Sequence, residues 1–531
     1  MSSSNIGARK QRNIRDHLFV INAILHDMKE DKKKSIDLQI YDVKKCFDKL
    51  WYSETANDIY EAGVDDDYFV TIARANKECH VAVKTPWGTT TERKTIKNIE
   101  MQGTVITSIK CSAQIDTLAK ECLERGTGMF KYKECLPIPP LSLVDDVLAV
   151  GKCGSDSLKL NSIIQSKMAT KRLEMGTDKC FQIHVGKKSE KTCPKLNVHN
   201  EAMKTVSSEK YLGDVITNSG KVDENIQARA NKGIGVVNTI VSLIQEISFG
   251  EHIFEMALLF RNSMLINSIL SSSEVLYGVK SKHIEKLETC DRTFFSKLFR
   301  VPITCSNEAA FLETGCLPIR HILMGRRVMY LWTLLNKKDE ELVKKVYNVQ
   351  KAHPVENDWK KQVDEDLDDL EINMTEAEIK SMKKERFKSM VKEKLEAKAL
   401  EYLIGQREKH SKTKGLTNFG YQSYLSSPNL STREKQLLFS LRTRSVDLKS
   451  NYKNKYRFDM TCSLCHSPNE IESEIHLLNC INIKTNIGQH IDLESVKYEN
   501  IFSEDLMKQV EVTKAFSEIL RTRKVLLSEN V

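Results

Sequence analysis

Two adjacent aspartates stand between short apolar runs in the segment PLSLVDDVLAVG, residues 140–151. Apolar runs of this length, flanked by Pro and Gly, predict two strands joined by a tight turn. Asp145 and Asp146 would lie side by side at that turn, where ionised carboxylates repel each other and lose hydration. A divalent cation such as Mg²⁺ removes this penalty. A polar hairpin tip in solvent is the alternative, because turns favour Asp.

The composition is that of a large, mildly basic chain. It has 531 residues, of which 29% are charged and 40% hydrophobic, and a formal net charge of +9. No apolar run is expected to span a membrane, and the N-terminus lacks the apolar core of a secretory signal. Fourteen cysteines in such a chain favour free thiols or metal ligands over a disulfide framework. We therefore expect an intracellular protein, in the cytoplasm, the nucleus or both, with a polyanionic partner and no membrane partner.

The periodicity of the sequence predicts a mixed part followed by a helical part. Residues 1–221 combine strand-like alternation, as in 36–41, with helical spacing, which predicts an α+β core. Residues 222–335 have helical spacing. Residues 336–430 are dense in Lys and Glu and predict a solvated helical spacer, with a specific docking surface as the alternative. Residues 431–485 hold a basic segment and a cysteine motif, and 486–531 predict a helical tail.

Four residues near the C-terminus have the spacing of zinc ligands. Cys462 and Cys465 form a Cys-x-x-Cys pair, and His476 and Cys480 fall on one face of a helical turn. A structural zinc ion takes four such ligands in tetrahedral geometry. His466 competes with its neighbour Cys465, but its side chain would point elsewhere. We expect a structural Zn²⁺ knuckle, with four unrelated residues as the alternative.

The segment before this knuckle interleaves basic and aromatic side chains. They are Phe439, Arg442, Arg444, Lys449, Tyr452, Lys453, Lys455, Tyr456, Arg457 and Phe458. Such a mixture suits phosphate contact combined with base stacking. A solvated basic face explains the segment equally well by itself, and the neighbouring knuckle favours nucleic acid.

A third carboxylate would complete a two-metal phosphoryl-transfer site. Asp42 follows the predicted strand 36–41, and Val43 beside it offers a backbone carbonyl. Two strands that end in acids within mixed α+β sequence form the minimal layout of a polymerase palm. In such a site one ion lowers the pKa of a primer 3′-hydroxyl, and both neutralise the developing phosphate charge.

The ordered motifs resemble those of reverse transcriptases, and more specifically those of LINE-type (non-LTR) retrotransposons. YDVKKCFD (41–48), QG (102–103), VDD (144–146), GTDKC (176–180) and YLG (211–213) resemble motifs A to E in order. Segments 273–274, 287–291, 312–318 and 326–327 resemble the helical region after the palm, and the Cys-Cys-His-Cys knuckle closes the same family's reading frames. Each motif is short, but their order and spacing are specific, and the resemblance covers nearly the whole chain.

This resemblance implies an RNA-directed DNA polymerase with a right-hand palm, partial fingers and a helical thumb. Asp42, Asp145 and Asp146 would hold two Mg²⁺ ions, with Mn²⁺ as a substitute, and Lys179 would lie near the leaving pyrophosphate. Phe47 would be the steric gate that excludes a 2′-hydroxyl. A surface lysine and a plain core phenylalanine explain Lys179 and Phe47 equally well.

The resemblance also implies the residues that contact nucleotide and primer. Gln102 and Gly103 would line the nucleotide and template–primer pocket, and Tyr211, Leu212 and Gly213 would form the primer grip. The partners would be an RNA template, a DNA primer and deoxynucleoside triphosphates.

The chain departs from the family pattern at several places. Leu143-Val144 replace an aromatic residue and Ala, and the segment 104–107 replaces an acid, a proline and a serine. The finger segment with its triphosphate-clamping arginine, and any endonuclease, are expected to be missing. Arg9, Lys10 or Arg12 would then have to bind the triphosphate.

Two other functions compete with the polymerase. One is an inactive retrotransposon remnant that retains nucleic-acid binding. The other is a zinc-binding helical scaffold for protein contacts, in which the aspartate pair is incidental. The five ordered motifs favour the polymerase over the scaffold.

Overall fold

The computed structural model describes residues 1–30, 35–75, 79–82, 84–89, 93–96, 106–186, 194–247, 249–409, 411–413, 415–487 and 492–529. Within these ranges a mixed α+β part with a small sheet is followed by a large helical part. The α+β fold class is therefore confirmed at this level.

A five-stranded sheet forms the centre of the first part. Its strands in chain order are β1 (Ser35–Tyr41), β2 (Leu141–Leu143), β3 (Asp146–Lys152), β4 (Phe181–Gly186) and β5 (Lys204–Thr205). The spatial order is β5-β4-β1-β3-β2, and every pair is antiparallel except β4 with β5. β1 is buried along its whole length. The alternation of polar and apolar residues along β1 therefore reflects two different buried faces, rather than one buried and one solvated face.

The polar face of β1 is satisfied by hydrogen bonds under the helix Ser155–Thr170. The Tyr41 hydroxyl donates to Gln39 Oε1 at 2.6 Å, and Gln39 Nε2 donates to the Ser157 carbonyl at 3.0 Å. Buried polar groups are tolerated only when they are paired in this way. The opposite face presents Ile36, Leu38 and Ile40 to a separate apolar core.

Helices and two-stranded hairpins complete the first part. The helices are Ile14–Glu30, Cys46–Lys49, Tyr52–Glu61, Asp66–Ala75, Thr107–Arg125 and Ser155–Thr170. The hairpins pair Cys79–Val81 with Lys94–Ile96, Lys84–Thr85 with Gly88–Thr89, Lys131–Tyr132 with Leu136–Pro137, Asn197–Val198 with Glu201–Ala202, and Ser208–Tyr211 with Asp214–Thr217.

The second part is built from helices and short turns. The helices are Asp223–Glu246, Ile253–Phe260, Ile266–Ile269, Ser281–Phe299, Asn307–Thr314, Ile319–Leu335, Leu342–Ala352, Trp359–Asp369, Glu376–Ser381, Lys384–Glu408, Thr432–Arg442, Glu474–Asn479, Ile481–Asn486 and Leu506–Glu529. A π-helical turn, Arg261–Leu265, joins the second helix to the third.

Within 336–430 the helices are Leu342–Ala352, Trp359–Asp369, Glu376–Ser381 and Lys384–Glu408, and their apolar face is buried rather than solvated. Trp359 and Phe387 are completely buried. Phe19, on the helix Ile14–Glu30, meets the Trp359 ring edge-on with centroids 5.2 Å apart. The Thr375 capping box is present, with the Thr375 hydroxyl accepting from the Glu378 amide at 3.3 Å. The many Lys and Glu residues occupy the outer face. Because they dominate the composition of this segment, composition alone does not reveal its buried apolar face.

The apolar segment Gly250–Val275 is long and hydrophobic enough to span a membrane, with a mean hydropathy of 1.3, contrary to the expectation from sequence. Within the fold, 44% of its most apolar window is buried. Arg261 in this segment forms a buried ion pair with Asp291 at 2.6 Å. Its buried apolar residues belong to the core of the helical part.

Candidate functional site

The hairpin predicted around the aspartate pair is present. β2 pairs with β3 so that Leu143 lies opposite Asp146, which leaves Val144 and Asp145 as a two-residue turn. Val144 has φ +58°, a left-handed conformation that is strained for a β-branched residue. The turn places Asp145 at the tip and Asp146 at the start of β3.

The register of the sheet brings Asp42 to this tip. β1 pairs with β3 antiparallel, and the last pair is Tyr41 with Val147. One residue further along this register, Asp42 falls opposite Asp146. Directly opposite residues in such a pair have Cβ atoms about 5 Å apart. The register thus places Asp42 at the same end of the sheet as the two hairpin acids, which are distant from it in sequence. Among the described residues, the three carboxylates do not form a group whose ligand atoms all lie within 4.8 Å of one another.

Both hairpin carboxylates are disfavoured in their ionised form. Partial desolvation raises the pKa of Asp145, and the charge of Asp42 raises it further. Partial desolvation likewise raises the pKa of Asp146, to which Asp145 and Asp42 both add. Lys179 opposes these shifts, and its Nζ lies 3.8 Å from Asp42 Oδ2. Three carboxylates facing one cation leave an excess of negative charge, and their oxygens are the ligands that Mg²⁺ prefers.

The loop that carries Lys179 is fixed to Asp42 by its backbone. The Gly176 amide donates to the Asp42 carbonyl at 2.9 Å, and the Lys44 amide donates to the Glu174 carbonyl at 2.8 Å. A Cβ atom at Gly176 would lie 3.4 Å from Asp42 Oδ2 and 3.2 Å from Asp178 Oδ1. Glycine therefore permits the close approach that holds Lys179 beside the acids.

Phe47 and the hairpin residue Val144 pack against one apolar cluster. Phe47 belongs to the short helix Cys46–Lys49 and is half-buried. This position agrees with a gate beside the acids, and its partial burial agrees with a core role as well. Gln102 and Gly103 lie outside the described residues.

The proposed primer grip forms the turn of a hairpin. Leu212 and Gly213 connect the paired strands Ser208–Tyr211 and Asp214–Thr217. Their φ angles of +48° and +95° suit a type I′ turn, which needs positive φ at both central residues. Burial raises the pKa of the Tyr211 hydroxyl well above its ordinary value, and the charge of Asp146 adds to the shift. The buried Tyr211 ring therefore lies within electrostatic reach of the acids.

Arg9 and Arg12 line an open cleft of about 720 Å³ beside the β2–β3 hairpin. Arg15, Arg326 and Leu143 line it too. Arg12 pairs with Glu341 at 2.9 Å, and Arg9 donates to the Asn5 carbonyl at 3.0 Å. Burial lowers the pKa of Arg9, and the charge of Arg12 lowers it further. Glu274 lines the cleft too and pairs with Arg15 at 2.8 Å, so Arg12 and Arg15 both have acidic partners. Triphosphate binding by Arg9 and Arg12 stays a prediction.

The four predicted zinc ligands converge. One ligand atom from each of Cys462, Cys465, His476 and Cys480 lies within 4.8 Å of the others. The Cys462 and Cys480 sulfurs are 4.0 Å apart, and the Cys465 sulfur lies 3.5 Å from His476 Nε2. These separations fit ligands on a tetrahedral zinc ion, whose bonds are about 2.0–2.3 Å. His466, the competitor, is exposed and is not one of the four.

Glu470 contacts a member of this cluster and was not predicted from the sequence. Glu470 Oε2 lies 2.9 Å from His476 Nδ1. A carboxylate on the second ring nitrogen commonly orients a zinc-binding histidine. Arg523, on the C-terminal helix, pairs with the buried Glu472 at 2.5 Å and so ties the helix to the knuckle. The sequence signal for the Glu470 contact is an acid six residues before His476.

Only part of the basic and aromatic segment is free for a ligand. Arg442 is buried against Glu313 at 2.9 Å, and Lys449 pairs with Asp459 at 2.7 Å. Phe458, by contrast, is 89% exposed, and the Arg457 guanidinium carbon lies 4.5 Å from its ring centroid. A cavity of about 910 Å³ nearby is lined by Lys409, Lys412, Arg444, Tyr452, Lys453 and Lys455, among others.

A thiol pair near the acids was also missed. The buried Cys46 and Cys111 sulfurs lie 2.8 Å apart. Their hydrogen bond and burial raise the pKa of the Cys111 thiol well above its ordinary value, and the charge of Asp145 contributes. The two cysteines are 65 residues apart, and no sequence pattern links them.

No family model matches the chain, and no curated protein matches it either. Among solved structures, telomerase from Candida tropicalis, in complex with a TWJ fragment of telomeric RNA, is 11% identical over 66% of this chain and 52% of that chain, with a TM-score of 0.34. The Candida albicans telomerase in the same kind of complex is 13% identical over 65% of this chain and 54% of that chain, with a TM-score of 0.31. Apo telomerase from Candida tropicalis is 12% identical over 63% and 56% of the two chains, with a TM-score of 0.30.

The chain therefore spans about half the length of these telomerase chains. A likeness of this strength carries no argument about function.

Proposed function

We propose that this protein is an RNA-directed DNA polymerase of the LINE type, which adds deoxynucleotides to a primer 3′-hydroxyl. The observation that carries the proposal is the convergence of Asp42, Asp145 and Asp146 at the end of β1 and the tip of the β2–β3 hairpin. The order of motifs A to E supports the narrower assignment to LINE-type elements.

The three carboxylates would hold two Mg²⁺ ions. Bound there, the ions would acidify the primer hydroxyl and neutralise charge on the transferred phosphoryl group. Lys179, held 3.8 Å from Asp42, would place a proton donor on the leaving-group side. The turn at Leu212 and Gly213 would position the primer, and Phe47 would crowd the 2′ position of the incoming sugar.

In this proposal the phosphate backbone would run along the arginine-lined cleft beside the β2–β3 hairpin. Arg15 and Arg326 line the cleft beside Leu143 together with Arg9 and Arg12. At the C-terminal end, the exposed Phe458 and its neighbour Arg457 offer a stacking surface next to the knuckle. Guanidinium groups and exposed aromatic rings suit single-stranded nucleic acid.

The zinc knuckle belongs to the same proposal. Cys462, Cys465, His476 and Cys480 would bind one structural Zn²⁺, with Glu470 orienting the histidine. The ion would stabilise the loop and helix that border the exposed aromatic surface.

An inactive remnant that binds nucleic acid is the second candidate. It is favoured by the contacts of Arg9 and Arg12, whose guanidinium groups are occupied by Asn5 and Glu341 rather than left for a triphosphate. A remnant of this kind would keep the basic surfaces that bind nucleic acid but would not catalyse primer extension.

Primer extension on poly-rA/oligo-dT with Mg²⁺ separates the two candidates. The polymerase predicts extension that Asp145→Asn abolishes and that Asp48→Asn, an exposed acid in the same segment as Asp42, preserves. Extension no greater than the Asp145→Asn background would refute the polymerase. Salt-sensitive RNA binding in that case would identify the remnant, and absence of RNA binding would identify a protein scaffold.

A further inference from the structure

A second group of metal-ligating side chains lies in the central sheet. Asp37 is on β1, His184 is on β4, and Cys153 directly follows β3. One ligand atom from each lies within 4.8 Å of the other two. Asp37 is five residues from Asp42 along the strand direction, a separation of about 17 Å. The group is therefore separate from the three acids at the hairpin.

The sheet register explains why these residues meet. Asp37 lies directly opposite His184 in the pairing of β1 with β4. The Cys153 amide donates to the Ser35 carbonyl at 3.1 Å, which continues the pairing of β1 with β3 by one residue beyond Lys152. Side chains two residues apart on a strand share a face. Three adjacent strands thus each direct one ligand group to the same face.

The donor set suits zinc rather than magnesium. It combines an imidazole nitrogen, a thiol sulfur and a carboxylate oxygen, all three of which are zinc ligands. Mg²⁺ prefers oxygen ligands and would leave the sulfur and the nitrogen unused. Three protein ligands leave a fourth position for water, and the partial exposure of Cys153 provides a path to solvent.

The Asp37 carboxylate supplies an independent observation. The Asp37 side chain is completely buried. Its Oδ1 lies 3.1 Å from His184 Nδ1, whereas its Oδ2 is buried and has no hydrogen-bond partner among the described residues. A plain Asp–His ion pair leaves that second oxygen unsatisfied, which destabilises the folded state. A cation bound to the carboxylate would remove this cost.

We propose that Asp37, Cys153 and His184 bind one zinc ion. The ion would clamp β4, β1 and β3 together at the end of the sheet opposite the catalytic hairpin. Since β1 leads to Asp42 and β3 begins at Asp146, such a clamp would fix the register on which the acid cluster depends. The site is distinct from the Cys-Cys-His-Cys knuckle and from the magnesium ions of the proposed reaction.

Zinc content of the purified full-length chain, measured by plasma mass spectrometry, tests this proposal. We expect Cys153→Ser to lower the zinc content by one ion per chain. The paired change Cys462→Ser and Cys465→Ser, which leaves the knuckle with two ligands, should remove a different ion, so that the combined variant loses both. Cys135→Ser, which changes an exposed cysteine elsewhere, should retain the wild-type content. Zinc content unchanged by Cys153→Ser would overturn the proposal, whatever the knuckle does.

Cobalt substitution gives a second readout. In a background that carries Cys462→Ser, Cys465→Ser and Cys480→Ser, and therefore has no thiolate left in the knuckle, we expect Co²⁺ to produce a thiolate-to-cobalt absorption band that disappears when Cys153→Ser is added. Circular dichroism should show that both variants are folded, because Cys153 is only partly buried and serine is nearly isosteric. A band that persists after Cys153→Ser, or that never forms in that background, would contradict the proposal.

Discussion

At the residue scale, Lys179 is the residue for which a catalytic role and a surface role predict different kinetics. Its side chain is 65% exposed, and Nζ lies 3.8 Å from Asp42 Oδ2. The loop that carries it is hydrogen-bonded to the Asp42 backbone through Gly176. The exposure leaves the ammonium group accessible to a leaving pyrophosphate.

We therefore expect Lys179→Gln to lower kcat for primer extension by about 10²-fold, the usual contribution of a positioned proton donor. KM for the nucleotide should change less than kcat, and Lys179→Arg should recover part of the rate. Single-nucleotide extension kinetics measure all three effects. Lys159→Gln, on the helix Ser155–Thr170, is the control. A Lys179→Gln rate equal to that of the control would leave Lys179 a surface residue.

Phe47 is predicted to act through its volume. The half-buried ring packs against the same cluster as Val144, so Phe47→Ala should open space near the incoming sugar. We expect ribonucleotide incorporation, relative to deoxynucleotide incorporation, to rise about 10-fold or more. The ratio is measured in matched extensions with UTP and dTTP. If the ratio stays constant while the protein loses stability, Phe47 is a core residue.

At the scale of elements, the strand–turn–strand unit at 141–152 was predictable, and its geometry was not. Apolar runs bounded by Pro and Gly define the hairpin from sequence alone. The opposition of Asp42 and Asp146 depends on the register of β1 with β3, two strands about a hundred residues apart, which no local pattern encodes. The positive φ of Val144 is likewise imposed by the two-residue turn, because Val does not favour it.

Without a bound metal ion, the charges of Asp145 and Asp146 should destabilise the folded state. When folding raises the pKa of an acid, the folded state binds more protons than the unfolded chain at any pH between the ordinary and the raised pKa. Stability therefore falls as the pH rises through that window, and the full loss persists above it. Burial and, secondly, the charge of Asp42 raise the pKa of Asp145 above 3.8 in this way.

We accordingly expect Asp145→Asn to have a higher unfolding midpoint than the wild type at pH 8 in EDTA. The difference should shrink as the pH is lowered toward 4, and Mg²⁺ should raise the midpoint of the wild type more than that of the variant. Thermal denaturation followed by circular dichroism measures both trends. A lower midpoint for Asp145→Asn at pH 8 would show that the acid cluster is not under electrostatic strain.

At the scale of the whole molecule, the cores cross the boundaries drawn from sequence. One cluster joins the helix Ile14–Glu30 and the sheet to the segment 328–395, and another joins 226–319 to the C-terminal region. Domain boundaries can be predicted from sequence where a linker is rich in Gly and Ser or in Pro, and this sequence has no such linker. Contacts such as Phe19 with Trp359 join positions far apart in the chain, so sequence periodicity identified the helices but not their partners.

The Glu313–Arg442 pair should contribute strongly to this assembly. Both side chains are buried, Arg442 donates to both Glu313 oxygens at 2.9 Å, and the Tyr424 hydroxyl donates to Glu313 at 2.8 Å. We expect Glu313→Gln to lower the free energy of unfolding by about 3–5 kcal/mol, because it leaves a buried guanidinium uncompensated. Urea denaturation measures the change. Glu401→Gln, which breaks an exposed pair with Lys398, should cost at most about 1 kcal/mol; equal losses in the two variants would contradict this account.

The rate of primer extension as a function of Mg²⁺ concentration tests whether the three acids form a two-metal catalytic centre. If Asp42, Asp145 and Asp146 hold two ions, the rate on an RNA template should rise more steeply than first order in Mg²⁺ at low concentration. Asp42→Asn and Asp145→Asn should lower the rate by at least about 10²-fold at every concentration, while Asp48→Asn follows the wild-type curve. Extension that does not depend on Mg²⁺, or that survives Asp145→Asn, would contradict the assignment of these three acids as the catalytic centre.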